Sequence, residues 1–110
     1  VMLEGQPQME VGCHTDVMDS CPKSVAIPML LRSANPQIIA VDEITQARDL
    51  AAMEEAAYCG VRFLATLHAD SADDLHRRPL LQKLQKMHLF EKAITIHMAD
   101  TLRRYTIRDL

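Results

Sequence analysis

The run Pro36-Gln37-Ile38-Ile39-Ala40-Val41-Asp42-Glu43 constrains this chain most. Four consecutive apolar residues, bounded by polar ones and closed by two acids, fit a strand buried on both faces, as in a parallel sheet. Asp42 and Glu43 then emerge at its C-terminal end, where open α/β sheets place their ligand crevice. Two adjacent carboxylates there suit hydrolysis of a nucleoside triphosphate. The Asp helps hold Mg²⁺, often through water, and the next acid orients or deprotonates the attacking water. The same residues also describe a solvated acid pair between a strand and a helix, and the run alone leaves both readings open.

The flanks build a strand-helix-strand unit. Ala26, Ile27, Leu30 and Leu31 give one apolar helical face over roughly residues 24–34. Pro28 either kinks this helix or marks its true first turn. Asn35-Pro36 ends it, because a residue before proline avoids the helical region. After the strand at 37–42, a helix is predicted over about 46–58. Thr45 is its candidate N-cap, Asp49, Glu54 and Glu55 face water, and Leu50, Met53 and Ala57 mark the buried side. Gly60 suits the position just past its end. Val61-Arg62-Phe63-Leu64-Ala65-Thr66 reads as a second buried strand, leaving at Leu67-His68. Strand, helix, strand at this spacing is a βαβ unit, with parallel strands and a right-handed crossover expected.

Their exits then lie side by side, about 5 Å apart. Thr66 and His68 would stand near Asp42 and Glu43. There a polar residue can steady a water, and a histidine can donate a hydrogen bond to developing phosphate charge. A loop histidine bonded to backbone is the plainer alternative. His76 and His88 read as surface or capping residues, and His97 as a strand residue.

Residues 1–23 are expected to be irregular, since Gly5, Pro7, Gly12, Asp16, Asp19, Ser20 and Pro22 are turn formers. Residues 69–77 open a helical stretch, with Ser71 a candidate cap before Ala72-Asp73-Asp74. Pro79 starts a short helix carrying Leu80, Leu81, Leu84 and Met87, and His88 is its exit. Residues 93–98 and 103–107 form a closing strand pair turning near Asp100.

Hydrophobic content of 48% with 25% charged residues is that of a soluble globular domain, and 110 residues allow one. No apolar run approaches the roughly 18 residues of a membrane span. The opening Val1-Met2-Leu3-Glu4 is no signal peptide, and a start on Val is expected of a piece of a longer chain. Three cysteines without a CxxC pair or a secretion signal suggest reduced, cytoplasmic thiols. Cys13, His14 and Cys21 are conceivable metal ligands, but their spacing matches no common zinc pattern. Residues 1–76 hold 12 acids and 4 bases, and residues 77–110 hold 8 bases and 3 acids. The net charge of −3 excludes a general nucleic-acid binder. The asymmetry suits head-to-tail packing of identical subunits, or simply two solvated faces.

Several stretches together resemble the stage III sporulation protein AA family. They are Gly5-Gln6-Pro7-Gln8, Val11-Gly12, Thr15-Asp16-Val17, Cys21-Pro22-Lys23, Leu31-Arg32-Ser33, Ile39 through Ile44, Leu64-Ala65-Thr66 with His68, and Arg77-Arg78-Pro79 with Phe90. That family is similar to the ring-forming P-loop ATPases of type II and type IV secretion. The resemblance implies an α/β, three-layer P-loop NTPase (RecA/AAA-like) fold. In this reading residues 1–110 are the C-terminal part of a single ATPase domain, with a partial parallel sheet, flanking helices and a C-terminal strand pair. Asp42 and Glu43 become the Walker B pair, Asp42 holding Mg²⁺ through water, and His68 the counterpart of the histidine box. ATP and Mg²⁺ are the implied cofactors.

The implied partners are like subunits in a homo-oligomeric ring and the proteins of a secretion-like channel assembled during endospore formation. The implied location is cytoplasmic, peripheral at the mother-cell side of the forespore membrane. Arg32, Arg77 and Arg78 are candidates to contact phosphate or a neighbouring subunit, or else surface charges and helix-end partners.

There are departures from the family pattern. The phosphate-cradling G-x-x-x-x-G-K-[ST] loop, upstream in the family, does not occur in these 110 residues. Cys13-His14 stands for Pro-Arg, Ser20 for Gly, Pro28 for Met and His88 for Gly. The chain by itself is therefore expected to be inactive, and a non-catalytic interaction module is the competing function. In such enzymes the strand feeding the phosphate loop lies between those at 62–67 and 93–98. A strand-wide gap is expected there.

Overall fold

The computed structural model describes residues 2–69 and 74–110. Among the described residues the chain is mixed α/β with three separate two-stranded sheets. A small antiparallel pair, β1 (Met2–Leu3) and β2 (Gln6–Pro7), opens it. This pairing in the stretch expected to be irregular is local, a turn through Glu4 and Gly5, which both have positive φ. Residues 8–22 otherwise run without regular structure, as expected.

Helix α1 (Lys23–Ser33) begins one residue earlier than predicted and carries Pro28 in its interior. The carbonyl of Pro22 starts it, accepting the N–H groups of Val25 and Ala26 at 2.9 Å. Pro28 brings no N–H for the Ser24 carbonyl, yet its neighbour Ile27 is buried at 2% exposure and holds the helix on the core. Full burial of such a side chain is worth about 1.5–3 kcal/mol.

Strand β3 (Ile38–Val41), helix α2 (Ala47–Tyr58) and strand β4 (Arg62–Ala65) form the expected unit. β3 and β4 are parallel, with Ile38 opposite Arg62 and Val41 opposite Ala65. α2 starts from Gln46 rather than Thr45, and no side chain caps it. Asp49, placed on the water face by its type, is 5% exposed, because the first turn of α2 lies against the rest of the chain. Ala52 and Ala56 join Leu50 and Met53 on the buried side, while Ala57 is half-buried. Gly60, at φ 89°, ends the helix in the left-handed conformation that glycine adopts without strain.

Ile27, Ile39, Val41, Ile44, Leu50, Met53, Ala56, Val61 and Leu84 form one core cluster. It lies on one face of the β3–β4 pair. The opposite face keeps Ile38 63% and Leu64 65% exposed. The expectation of a strand buried on both faces is therefore corrected for the described residues: α1 and α2 cover one side, and among those residues nothing covers the other.

Short helices α3 (Asp74–Arg77) and α4 (Pro79–Lys86) follow, with Pro79 at the start of α4 as predicted. The proposed cap at Ser71 lies outside the described residues. His88 has a φ of 51°, the left-handed exit. Strands β5 (Lys92–Ala99) and β6 (Leu102–Asp109) close the chain as an antiparallel hairpin, longer than predicted at both ends. Asp100, at φ 57°, begins its two-residue turn. Among the described residues β5 pairs with β6 and not with β4.

Candidate functional site

The site is built where the two parallel strands end. β3 delivers Asp42 and Glu43, and β4 delivers Thr66. Three bonds tie these exits together. Thr66 N–H donates to the Val41 carbonyl at 3.0 Å, Ile44 N–H donates to the Thr66 carbonyl at 3.1 Å, and Glu43 N–H donates to Thr66 Oγ1 at 3.0 Å. Ile44, 4% exposed, anchors the far side of the turn in the core. Glu43 is thereby held at a φ of 42°. That region is uncommon for a residue with a side chain, and such backbone persists where its surroundings fix it.

Both carboxylates face solvent. Lys23 Nζ, at the first turn of α1, lies 3.6 Å from Asp42 Oδ1. The Asp42 side chain is 94% exposed, so this ion pair contributes at most about 1 kcal/mol. It places a cation beside the acids and ties α1 to the site.

His68 is exposed two residues beyond Thr66. Its carbonyl accepts a hydrogen bond from Arg78 Nη1 at 3.2 Å. Among the described residues no hydrogen bond or ion pair joins its ring to Asp42 or Glu43. Arg78 also pairs with Asp74 at 3.3 Å, so it acts as a partner within its own helical region. Arg32 lies exposed in the last turn of α1, and Arg77 closes α3. The structure thus brings Asp42, Glu43 and Thr66 together and sets His68 on the same exit, with no hydrogen bond or ion pair from its ring to the acids among the described residues. Among the described residues no three His, Cys, Asp or Glu side chains form a metal-binding group, so Cys13, His14 and Cys21 do not make one.

Two features of the site had no local signal. Lys23 lies far from Asp42 in sequence, and only the packing of α1 brings them together. The left-handed backbone of Glu43 follows from a side-chain bond to another strand, whereas turn chemistry flags glycine and asparagine.

The family profile described as "Sporulation stage III, protein AA" matches residues 2–106. The chain belongs to the stage III sporulation protein AA family. It is 36% identical over 97 residues to "Stage III sporulation protein AA" of Bacillus subtilis (strain 168), a match covering 88% of this chain and 32% of that relative. The chain thus spans about a third of the length of that relative. No solved structure matches this member of the family. No helix among the described residues is long and apolar enough to cross a membrane.

Proposed function

We propose that this chain is the C-terminal part of a P-loop ATPase motor domain that powers a secretion-like channel during endospore formation. The observation that carries the reading is the joined strand end. Asp42 and Glu43 leave β3 beside Thr66 of the parallel β4, with the Glu43 backbone bonded to the Thr66 hydroxyl. Two exposed carboxylates at that point fit a hydrated divalent cation. Asp42 would hold Mg²⁺ through water, and the bound ion would neutralise phosphate charge. Glu43 takes a proton from the attacking water, and its fixed backbone limits where the carboxylate reaches. Thr66 holds that backbone, and His68 supplies a donor toward phosphate from the neighbouring exit. Family membership supports the sporulation setting.

The donors that cradle phosphates are not among these 110 residues. The chain alone is therefore expected not to hydrolyse ATP, and Glu43-dependent turnover by it would contradict that. This same observation favours a second reading, a non-catalytic module that keeps the strands and lacks turnover.

The test uses a protein in which this region is joined to a G-x-x-x-x-G-K-[ST] segment. Glu43→Gln should remove most ATP turnover and leave Mg-ATP binding largely intact, because Gln keeps the size but is no base. Asp42→Asn should weaken the Mg²⁺ dependence, and His68→Ala should lower turnover more than binding. Near-normal turnover in Glu43→Gln would defeat the assignment and leave the interaction module.

A further inference from the structure

His68 leaves β4 on a stretch that the sheet does not hold. Thr66 is the last residue of that exit tied to β3 and its turn, through its N–H to the Val41 carbonyl and its own carbonyl to Ile44 N–H. Leu67, His68 and Ala69 have no regular structure. Among the described residues one hydrogen bond reaches these three, from Arg78 Nη1 to the His68 carbonyl at 3.2 Å.

Arg78 is itself fixed, in backbone and in side chain. It stands between α3 and α4 as the residue before Pro79, extended at φ −86° and ψ 126°, the conformation that a following proline favours. Its N–H donates to the Asp74 carbonyl and its carbonyl accepts the Gln82 N–H, both at 3.0 Å. Leu84, in the core cluster, anchors α4. The guanidinium then spans two partners. Nη2 lies 3.3 Å from Asp74 Oδ2, on a side chain only 13% exposed, while Nη1 reaches His68. The planar fork of arginine serves two acceptors at once in fixed directions, which a single ammonium on a flexible stem does not.

We infer, resting on the donor role proposed above for His68, that Arg78 is a positioning residue for that histidine and not a contact to phosphate or to a neighbouring subunit. Holding the His68 carbonyl fixes the planar peptide between His68 and Ala69, and with it the backbone from which the imidazole projects. A donor meant for developing charge is effective when its own backbone and rotamer are held by neighbours before the reaction. The guanidinium ties the end of β4 to the joint between α3 and α4, so the imidazole is presented from a held backbone at the exit that carries Thr66. Asp74 keeps the fork turned toward His68 from the other side.

The experiment uses the protein joined to a G-x-x-x-x-G-K-[ST] segment, first without nucleotide. The Ala69 N–H shares a peptide with the His68 carbonyl, so its NMR order parameter reports the tie. In Arg78→Ala it should fall from about 0.85 to below about 0.6, with far-UV circular dichroism checking that the variant stays folded. With Mg-ATP, Arg78→Ala should lower kcat about tenfold and leave KM within about twofold, since a misplacement of about 1 Å can cost about a hundredfold. Adding Arg78→Ala to His68→Ala should lower kcat no further than His68→Ala alone, because Arg78 acts through that ring. Arg78→Lys keeps a charge opposite Asp74 and should recover the melting temperature lost in Arg78→Ala, but not kcat. An unchanged Ala69 order parameter overturns the inference. So does full turnover in Arg78→Ala beside an impaired His68→Ala, a double variant in which the losses multiply, or full recovery of kcat in Arg78→Lys. Full turnover in His68→Ala instead overturns the donor role of His68, and the positioning role falls with it.

Discussion

The β3–α2–β4 unit and the β5–β6 hairpin are both locally well formed, and they differ in what holds them. The parallel pair has Ile39, Val41 and Val61 under helices, with Leu50 and Met53 fully buried. The hairpin is longer and has a regular register, yet Ile94, Ile96, Tyr105 and Ile107 are each more than 60% exposed. Its Lys92–Asp109 pair at 2.6 Å also lies in solvent. Backbone pairing and β-branched residues are enough to draw a hairpin, but an isolated two-stranded ribbon is marginal in water. Parallel strands come with a crossover helix, and that helix brings its own apolar face to the sheet. Stability in this chain therefore concentrates where the connection is long.

The comparison can be broken most directly in the core. Leu50→Ala should destabilise the chain by about 2–5 kcal/mol, measured by urea unfolding of the monomer. Ile107→Ala on the hairpin should change that value by less than about 1 kcal/mol. Similar losses at both positions would show that the hairpin is buried against something in solution.

Hydrogen exchange sharpens the contrast along the backbone. Amides in 37–42 and 62–67 should be strongly protected and those in 93–98 weakly protected. Uniform protection in a monomer would mean that β5 finds a partner beside β4 and that the gap between the sheets closes.

The smallest expected effect is at the strand exits. Thr66→Val removes the acceptor for Glu43 N–H at nearly constant size. It should cost about 0.5–1.5 kcal/mol and raise exchange at Glu43 while leaving the hairpin unchanged. An unaltered Glu43 amide would mean that Thr66 does not hold that backbone.

Much of this architecture is local and legible in the sequence. The apolar run at 38–41 bounded by Pro36 and the acids, the α2 periodicity of Leu50 and Met53, Gly60 past its end, Pro79 at a helix start and the turn at Asp100 all act within a few residues. The side-by-side exits of Asp42, Glu43 and Thr66 follow from one further rule, that a strand-helix-strand unit sets its two strands parallel and adjacent. Tertiary structure alone decided the rest. Asp49 is buried although a carboxyl side chain favours water, a placement that only the packing of α2 decides. Lys23 reaches Asp42 through the packing of α1, and Glu43 turns left-handed because a hydroxyl from another strand holds its N–H. The open face at Ile38 and Leu64 is the clearest case. A run of four apolar residues says that a strand can be covered on both sides. Only the placement of α1 and α2 decides that one side is covered, because burial depends on contacts between residues far apart in the chain.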